Sequence, residues 1–356
     1  MTLTRMPRTD RSVQLAPGLL VLLGTASFAL VLTFLHSASG WVAPAILALM
    51  LTIGVHPVRA WLARLGAPEW VRFLVPLLVI LVFLAAMGLA LAVSISELIS
   101  LLPQYSSRFT EIVNNVNRLL ARADIDTSRI AAQVGELNPA NLVPFLQTAL
   151  NGVVSLSSTG VLLVTLLVAM CLDATALGHQ LTALESDKPD LVRALRGVVR
   201  DTYSYLKVST IFGFIMAALD VIALYILDIP LPLLWGLLAF IANYIPTFGF
   251  LLALIPPTLL ALLIDSPGKA IAVLITYIVI NFITQSLLLP KFLGGAVGLS
   301  VTLTMLSLIL WTSTLGALGA LLAVPLTLMV RALLLETDPD KAWAGRLLTG
   351  APPRPE

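Results

Sequence analysis

Two segments in the C-terminal half of the chain are uncharged over lengths greater than one straight membrane crossing requires. They cover residues 229–264 and 292–330. An α-helix rises 1.5 Å per residue, so a straight helix of about 31 residues would measure roughly 46 Å. The hydrocarbon core of a bilayer is only about 30 Å thick. Each segment is therefore expected to bend, tilt or fold back within a membrane.

The composition as a whole is that of a membrane protein. Of the 356 residues, 58% are hydrophobic and 11% are charged, whereas soluble domains carry about 25% charged residues. The net charge of +2 provides no basic field for nucleic acid, and the one cysteine and three dispersed histidines form no metal-binding pattern. We expect an all-α polytopic integral membrane protein with about six to eight membrane helices and with no cofactor, metal or nucleic-acid partner.

Uncharged runs between ionised residues divide the chain into membrane and water-facing parts. A spanning helix needs about 20 apolar residues. We predict a three-helix membrane segment over 1–96 (helices near 17–35, 42–58 and 73–96), an extracytoplasmic amphipathic helical insert over 97–149, a fourth membrane helix over 150–172, a cytoplasmic helical linker over 173–207, a transport core over 208–335 that opens with a fifth span at 208–227, and a cytoplasmic tail over 336–356.

The distribution of Lys and Arg predicts the orientation of these spans. Basic residues concentrate before residue 12, in the turn at 59–72 and in the 173–207 linker. These three regions fall on one side when five spans alternate, and the positive-inside rule identifies that side as the cytoplasm. Both termini are therefore expected in the cytoplasm. The first apolar run is too long for the hydrophobic part of a signal peptide, so we interpret it as a span.

Each long uncharged run contains one break rich in proline or glycine. The first break includes Pro246 and Gly249, and the second includes Gly316 and Gly319. Similar apolar stretches follow the two breaks, and the second stretch ends at Pro325. Proline removes a backbone donor and glycine frees the backbone dihedrals, so a bend costs little at these positions. We interpret the two runs as diverged copies of one broken-helix repeat.

Two membrane topologies fit such repeats. Each run either forms a re-entrant helical hairpin whose tip lies within the membrane, or crosses the membrane as one tilted and kinked helix. Both arrangements return the C-terminus to the cytoplasm. Lys291 favours hairpins, because they place this residue inside, whereas simple crossings place it outside. The hairpin topology would bring two oppositely oriented repeats together near the membrane midplane, where many secondary transporters bind their substrates.

Asp220 is the acidic residue that lies near the middle of a predicted span. A carboxylate within the membrane costs at least about 2.5 kcal/mol and is by default a functional-site hypothesis. Burial favours the neutral form of a carboxyl group, which would suit a proton carrier. A carboxyl group held neutral by a purely structural hydrogen bond is the alternative.

Three amide side chains are further candidates for binding a solute or an ion. Asn281 and Gln285 lie four residues apart and therefore share one helix face, and Asn243 lies at the first break. Amides within a bilayer need hydrogen-bond partners. They could line a polar path together with the broken helix ends, or they could simply bond neighbouring helices to each other.

Three blocks of sequence carry a resemblance to a known family. Residues 243–249 contain an Ile-Pro-x-x-Gly core, residues 289–300 contain Pro-x-x-x-Gly followed by Val-Gly-Leu, and residues 316–325 read Gly-x-x-Gly-x-x-x-Ala-Val-Pro. These blocks resemble motifs of the autoinducer-2 exporter (AI-2E) family of bacterial transporters. The chain departs from that family at Asp228, where glycine is usual, and at Val301, where proline is common.

The resemblance implies an inner-membrane transporter, since some family members export autoinducer-2 and others exchange sodium or lithium for protons. We therefore expect a secondary transporter that works by alternating access, either an exporter of a small polar solute or a cation/proton antiporter. Its expected partners are the lipid bilayer, the solute or a proton or sodium ion, and further copies of itself. A passive channel or a membrane scaffold is the alternative, and an enzyme is not expected because the chain has no Gly-x-Ser-x-Gly segment.

Overall fold

The computed structural model describes residues 17–122, 139–246, 248–264, 267–288 and 300–336. The regular elements in these ranges are all helices, which confirms the predicted all-α class. The α-helices are α1 (Pro17–Ser37), α2 (Ser39–Gly54), α3 (His56–Arg64), α4 (Glu69–Leu101), α5 (Ser106–Arg122), α6 (Pro139–Leu184), α7 (Pro189–Ile226), α8 (Pro232–Ala242), α9 (Phe248–Ile264), α10 (Pro267–Asn281) and α11 (Val301–Arg331). A 3-10 turn (Leu102–Tyr105) joins α4 to α5, and π-helical turns (Phe282–Leu288 and Ala332–Glu336) extend α10 and α11.

Several of these helices are long and apolar enough to cross a membrane. By length and composition, five such stretches occur in the described residues: Ser39–Arg64, Glu69–Ile112, Pro189–Ile226, Pro267–Leu288 and Val301–Leu334. α6 supplies a sixth candidate, which is bent by 44° between Ala174 and Ala176. The prediction of a polytopic helical membrane protein is therefore confirmed.

Two helices extend well beyond the apolar runs from which they were predicted. α6 begins at residue 139 rather than 150 and continues to Leu184, so Asp173 lies inside a helix and not after its end. α7 begins at Pro189 rather than near residue 208. Polar side chains stabilise the facing ends of these helices, since Arg196 forms a bidentate ion pair with Glu185 at 2.8 and 2.9 Å. A search for apolar runs does not find these helical extensions, because they contain charged residues.

The 229–264 run forms two helices that fold back on each other. α8 and α9 are separated by residues 243–247 and share one apolar cluster, to which α8 contributes Trp235 and α9 contributes Leu254. The start of α9 lies so close to the end of α8 that a Cβ atom at Gly249 would collide with the carbonyl oxygen of Ala242. We call this unit hairpin 1 (232–264).

The second long run also folds back, at a sharp kink within α11. Gly316 interrupts α11 with φ 68° and ψ −148°, a conformation that glycine adopts readily. The indole Nε1 of Trp311 donates a 3.0 Å hydrogen bond to Thr327 Oγ1, whereas a straight helix would separate these residues by roughly 24 Å. α11 therefore consists of two arms, and we call it hairpin 2 (301–331).

α7 lies between the two hairpins. Its C-terminal half packs on α8 so closely that a Cβ atom at Gly236 would collide with the side chain of Val221. Its other half packs on the second arm of hairpin 2, where Tyr205 forms a cluster with Val324 and Leu328. α10 also packs on α7. The space that remains between these four elements is the candidate site.

Candidate transport cavity

A cavity of about 570 Å³ lies between α7, hairpin 1, α10 and hairpin 2. This volume falls within the roughly 300–1,000 Å³ that is typical of small-molecule sites. α7 lines it with Tyr205, Ser209, Phe212, Met216 and Asp220, whose spacing of three or four residues places them on one helix face. Tyr205 and Asp220 are about 22 Å apart along the helix axis. The cavity is therefore long and narrow, and it follows α7.

Asp220 lies at one end of the row of side chains that α7 presents to the cavity. Its side chain is only 2% exposed, and the carboxyl oxygen Oδ1 has no hydrogen-bond partner among the described residues. A buried acceptor without a partner costs about 1–3 kcal/mol. No structural hydrogen bond to Oδ1 is therefore present to explain this carboxyl group, which the sequence left as one of two alternatives.

α10 brings two further oxygen atoms to the cavity. Tyr277 and Asn281 line it four residues apart, and both the Tyr277 hydroxyl and Asn281 Oδ1 are buried without a hydrogen-bond partner in the described residues. Tyr277 lies near enough to Asp220 for the two side chains to interact electrostatically. Three buried oxygen atoms that lack partners therefore face the same cavity from two helices.

The amides form a chain that joins three elements. Asn243, at the break of hairpin 1, donates from Nδ2 to the backbone carbonyl of Ser209 at 2.8 Å. Gln285 Nε2 donates to Asn243 Oδ1 at 3.2 Å and lies 3.8 Å from the sulfur of Met216. Gln285 belongs to the π-helical turn that follows α10, and such turns are frequent at functional sites. All four polar residues that the sequence singled out therefore line one cavity.

Two tyrosines hold the break of hairpin 1 against α7. Tyr205 donates from its hydroxyl to the backbone carbonyl of Tyr244 at 2.9 Å. The hydroxyl of Tyr244 lies 2.6 Å from Thr210 Oγ1. The ring of Tyr244 also packs edge-on against Phe240, with the centroids 5.7 Å apart. The break is thus fixed to one side of the cavity by side chains of α7.

The break residues of the two hairpins differ in their relation to the cavity. Pro246 and Gly249 of hairpin 1 line it. Gly316, Gly319 and Pro325 of hairpin 2 do not, and that hairpin instead contributes two other residues, Thr304 and Val324. The structure therefore brings only the first of the two predicted breaks to the polar space.

The electrostatic character of the cavity follows from its lining. Among the described residues that line it, Asp220 is the one acidic side chain, and there is no Lys, Arg or His. The remaining polar groups are amides, a serine, a threonine and the phenols of Tyr205 and Tyr277. Such a lining offers hydrogen bonds to a neutral polar solute and an attractive environment to a cation, but it offers no counter-charge to an anion.

Tyr277 was missed by the sequence analysis, although a signal for it exists. Tyr277, Asn281 and Gln285 follow one another at intervals of four residues, so they form a polar row on a mainly apolar helix. Tyrosine is less conspicuous than an amide because its ring is apolar and packs well in a core. Tyr205 on α7 was missed for the same reason.

Comparison with known proteins identifies the family of the chain. A model of the AI-2E family of transporters matches residues 20–338. The chain belongs to the AI-2E family. This result confirms the resemblance carried by the three sequence blocks, and the match extends over both hairpins and all of the helices that line the cavity.

Individual AI-2E relatives match along most of their length. The AI-2 transport protein TqsA of Escherichia coli (strain K12) is 29% identical over 322 residues, which are 90% of this chain and 93% of TqsA. The "Putative transport protein YhhT" of the same strain is 25% identical over 321 residues, 90% of each chain. A transport protein of Haemophilus influenzae, also named as putative, is 28% identical over 333 residues, 92% of this chain and 95% of that protein.

The family and the helices together establish the general role of the chain. It is a multi-span helical membrane protein of a transporter family, so it contacts the lipid bilayer and takes part in the transport of small solutes. Its relatives come from bacteria, which places it in a bacterial inner membrane.

Proposed function

We propose that the protein is a secondary transporter that carries a small polar solute out of the cell through the cavity beside α7. The observation that carries this proposal is the convergence of Asp220, Asn243, Asn281 and Gln285 on one cavity of about 570 Å³. These residues come from α7, the break of hairpin 1 and α10, so a solute bound between them would contact elements able to move relative to one another.

The proposed mechanism is alternating access. The amides of Asn243 and Gln285 hydrogen-bond the solute, in place of part of the bonding they now give to each other and to α7. Hairpin 1 then rocks against α7 and exposes the cavity to the other side of the membrane.

Autoinducer-2 is the solute to test first, because the relative TqsA is named an AI-2 transport protein. A cation/proton antiporter is the second candidate, and it is favoured by one observation: the acidic side chain in the lining has no basic side chain beside it there. Asp220 would bind the coupling or transported ion in either case. The expected homo-oligomer remains part of the proposal.

The proposed topology has both hairpins re-entrant and both termini in the cytoplasm. It is supported by the fold-back of both long runs, since a hairpin whose two arms lie side by side returns to the face of the membrane from which it entered. The positive-inside distribution of Lys and Arg supports the same orientation.

Flux in reconstituted vesicles tests the function. Purified full-length protein should move autoinducer-2, or sodium in the antiporter case, against its gradient when a proton gradient is imposed. The Asn243→Ala/Gln285→Ala double variant should lose this flux, whereas Asn151→Ala, a substitution on α6 away from the cavity lining, should retain it. Flux that follows only the solute's own gradient would indicate a channel, and no flux of either cargo by folded protein would contradict the proposal.

A further inference from the structure

We propose that Asp220, Tyr277 and Asn281 form a proton-binding subsite, in which Tyr277 and Asn281 are alternative hydrogen-bond partners for the two protonation states of the carboxyl group. This inference rests on the proposed transport function, because it identifies the coupling ion of the same cavity as a proton. It adds Tyr277 as a positioning residue and places the site of the proton apart from Asn243, one of the two amides that hold the solute.

The evidence is a cluster of oxygen atoms that have no partner. Asp220 Oδ1, the Tyr277 hydroxyl and Asn281 Oδ1 are all buried, line the same cavity and make no hydrogen bond to the described residues. Asp220 and Tyr277 are 2% and 3% exposed. Native proteins leave few buried polar groups unpaired, and those that occur often have a functional reason. Asp220 and Tyr277 are near enough to interact electrostatically, and Asn281 follows Tyr277 by one turn of α10. This arrangement indicates bonding that changes with the protonation state of Asp220.

The chemistry of the three groups differs in a way that suits a proton. A protonated Asp220 has one O–H donor, which Asn281 Oδ1 can accept. A deprotonated Asp220 is acceptor-only, and the Tyr277 hydroxyl can rotate to donate to it. In the step between these states the carboxyl O–H bond breaks, the proton leaves to the solvent that reaches the cavity, and Tyr277 keeps its own proton.

The row of residues along α7 separates this subsite from the Asn243 end of the amide chain. The bond of Asn243 to Ser209 lies eleven residues from Asp220, roughly 16 Å along the helix. Gln285 approaches α7 at Met216, one turn from Asp220. A solute held by Asn243 would therefore leave the Asp220 carboxyl group accessible to Tyr277 and Asn281.

Other ionisable groups lie at a distance from Asp220. α2 and α8 contain none, nor does α9. The remaining elements packed on α7 carry Cys171, Asp173 and His179 on α6, Lys269 on α10, and Arg331 and Glu336 at the end of hairpin 2. Tyr244, at the break of hairpin 1, contacts α7 at Thr210, ten residues from Asp220. On α7 itself the nearest are Tyr225, which is exposed, and Lys207. The hydrogen bonds of Tyr277 and Asn281 are thus the main local interactions that would stabilise the deprotonated and protonated forms of Asp220.

Infrared spectroscopy of the full-length protein in lipid tests the subsite without any cargo. A pH titration of wild-type protein should show a protonated-carboxyl C=O band that is absent in Asp220→Asn. Tyr277→Phe should move the midpoint of this band to higher pH by roughly one unit, because a hydrogen bond to a charged group is about twice as strong as a neutral one. Asn281→Ala should move it to lower pH by less than that, because it removes the acceptor for the protonated form.

Tyr225→Phe is the matched control, since it removes the same hydroxyl from an exposed residue of α7 that does not line the cavity. It should leave the midpoint where it is in wild type. Shifts of the same sign in Tyr277→Phe and Asn281→Ala, or equal shifts in Tyr277→Phe and Tyr225→Phe, would overturn the proposal, as would the absence of any Asp220-dependent band. A normal titration with no solute flux would refute the transport proposal and leave the subsite standing.

Discussion

The close approach of the two arms of hairpin 1 gives a sharp prediction for Gly249→Ala. The added Cβ atom would lie 2.7 Å from the carbonyl carbon of Ala242, closer still to its oxygen, and ordinary contact begins at 3.4 Å. The carbon atom alone would have to move by about 0.7 Å, and the nearer oxygen atom by more, so the two arms would have to separate. The atoms in the way are backbone atoms that no rotamer change can move, so we expect a loss near the upper end of the roughly 1–3 kcal/mol typical of overpacking.

Gly88→Ala is the matched control for this prediction. Gly88 lies inside α4, where an added Cβ would have no atom within 4 Å. The same chemical change there should stabilise the protein by roughly 0.5–1 kcal/mol, because alanine loses less backbone freedom in a helix than glycine does. The two variants should thus move the stability in opposite directions.

The chain contains its own reporter for measuring this difference. Cys171 is the one cysteine in the sequence, and it is only 1% exposed in the fold. A thiol-reactive fluorophore should label it only as the protein unfolds in detergent or lipid. Gly249→Ala should be labelled at lower temperature than wild type and Gly88→Ala at the same or higher temperature. Equal labelling of the two variants would refute the argument that hairpin 1 is held by this contact.

Three further predictions concern the fold-back of hairpin 2, the role of Asn243 in solute flux, and the membrane topology. Trp311→Phe removes the 3.0 Å bond to Thr327 and should cost about 1 kcal/mol in the same labelling assay, with little further loss when Thr327→Val is added, because both changes remove the same bond. Asn243→Ala removes bonds to α7 and to α10 and should lower solute flux about tenfold, on the basis of about 1.4 kcal/mol per factor of ten. Cysteines placed at Lys269 and Lys291 in a Cys171→Ala background should react with impermeant reagents from outside and inside respectively, and the reverse pattern would favour simple crossings.

The sequence predicted the features that depend on local chemistry. The breaks at 243–249 and 316–319 were readable because Pro246 and the glycines disfavour a continuous helix wherever they occur. The polar residues Asp220, Asn243, Asn281 and Gln285 were readable because such groups are costly within a membrane, whatever they contact. The sequence could not predict that these residues share one cavity, because that depends on how α7 and α10 pack.

Other features depend on contacts between distant elements. The sequence favoured a hairpin for the second long run only through the charge of Lys291, because hydropathy is the same for a hairpin and for a kinked span; the fold-back itself is seen in a bond between residues sixteen positions apart. Tyr277 becomes a candidate site residue only because Asp220 lines the same cavity. The lengths of α6 and α7 exceed the apolar runs, because ion pairs such as Arg196 with Glu185 stabilise helical segments that carry charges and give no apolar signal.

The two departures from the family pattern acquire a physical meaning in the fold. Asp228, where glycine is usual, has φ 52°, in the left-handed region that glycine enters without steric cost. Aspartate is among the residues that tolerate this region, so the turn after α7 is kept. Val301, where proline is common, is the first residue of α11 after the N-cap Ser300. Proline is favoured at that position for its fixed φ, and a β-branched residue can also begin a helix there.

The two hairpins share one structural device and use it differently. In each, a glycine just past the break lies against a backbone carbonyl of the preceding arm: Gly249 against Ala242, and Gly319 against Trp311. The separation is seven residues in one and eight in the other, which supports the interpretation of the runs as diverged copies.

Only the break of hairpin 1 reaches the cavity, where side-chain hydrogen bonds fix it to α7. Movement of hairpin 1 would break those polar contacts, whereas hairpin 2 is held mainly by apolar packing against α2 and α7. In the proposed mechanism, the first hairpin is the element whose motion a bound solute, which competes for the same hydrogen bonds, would control.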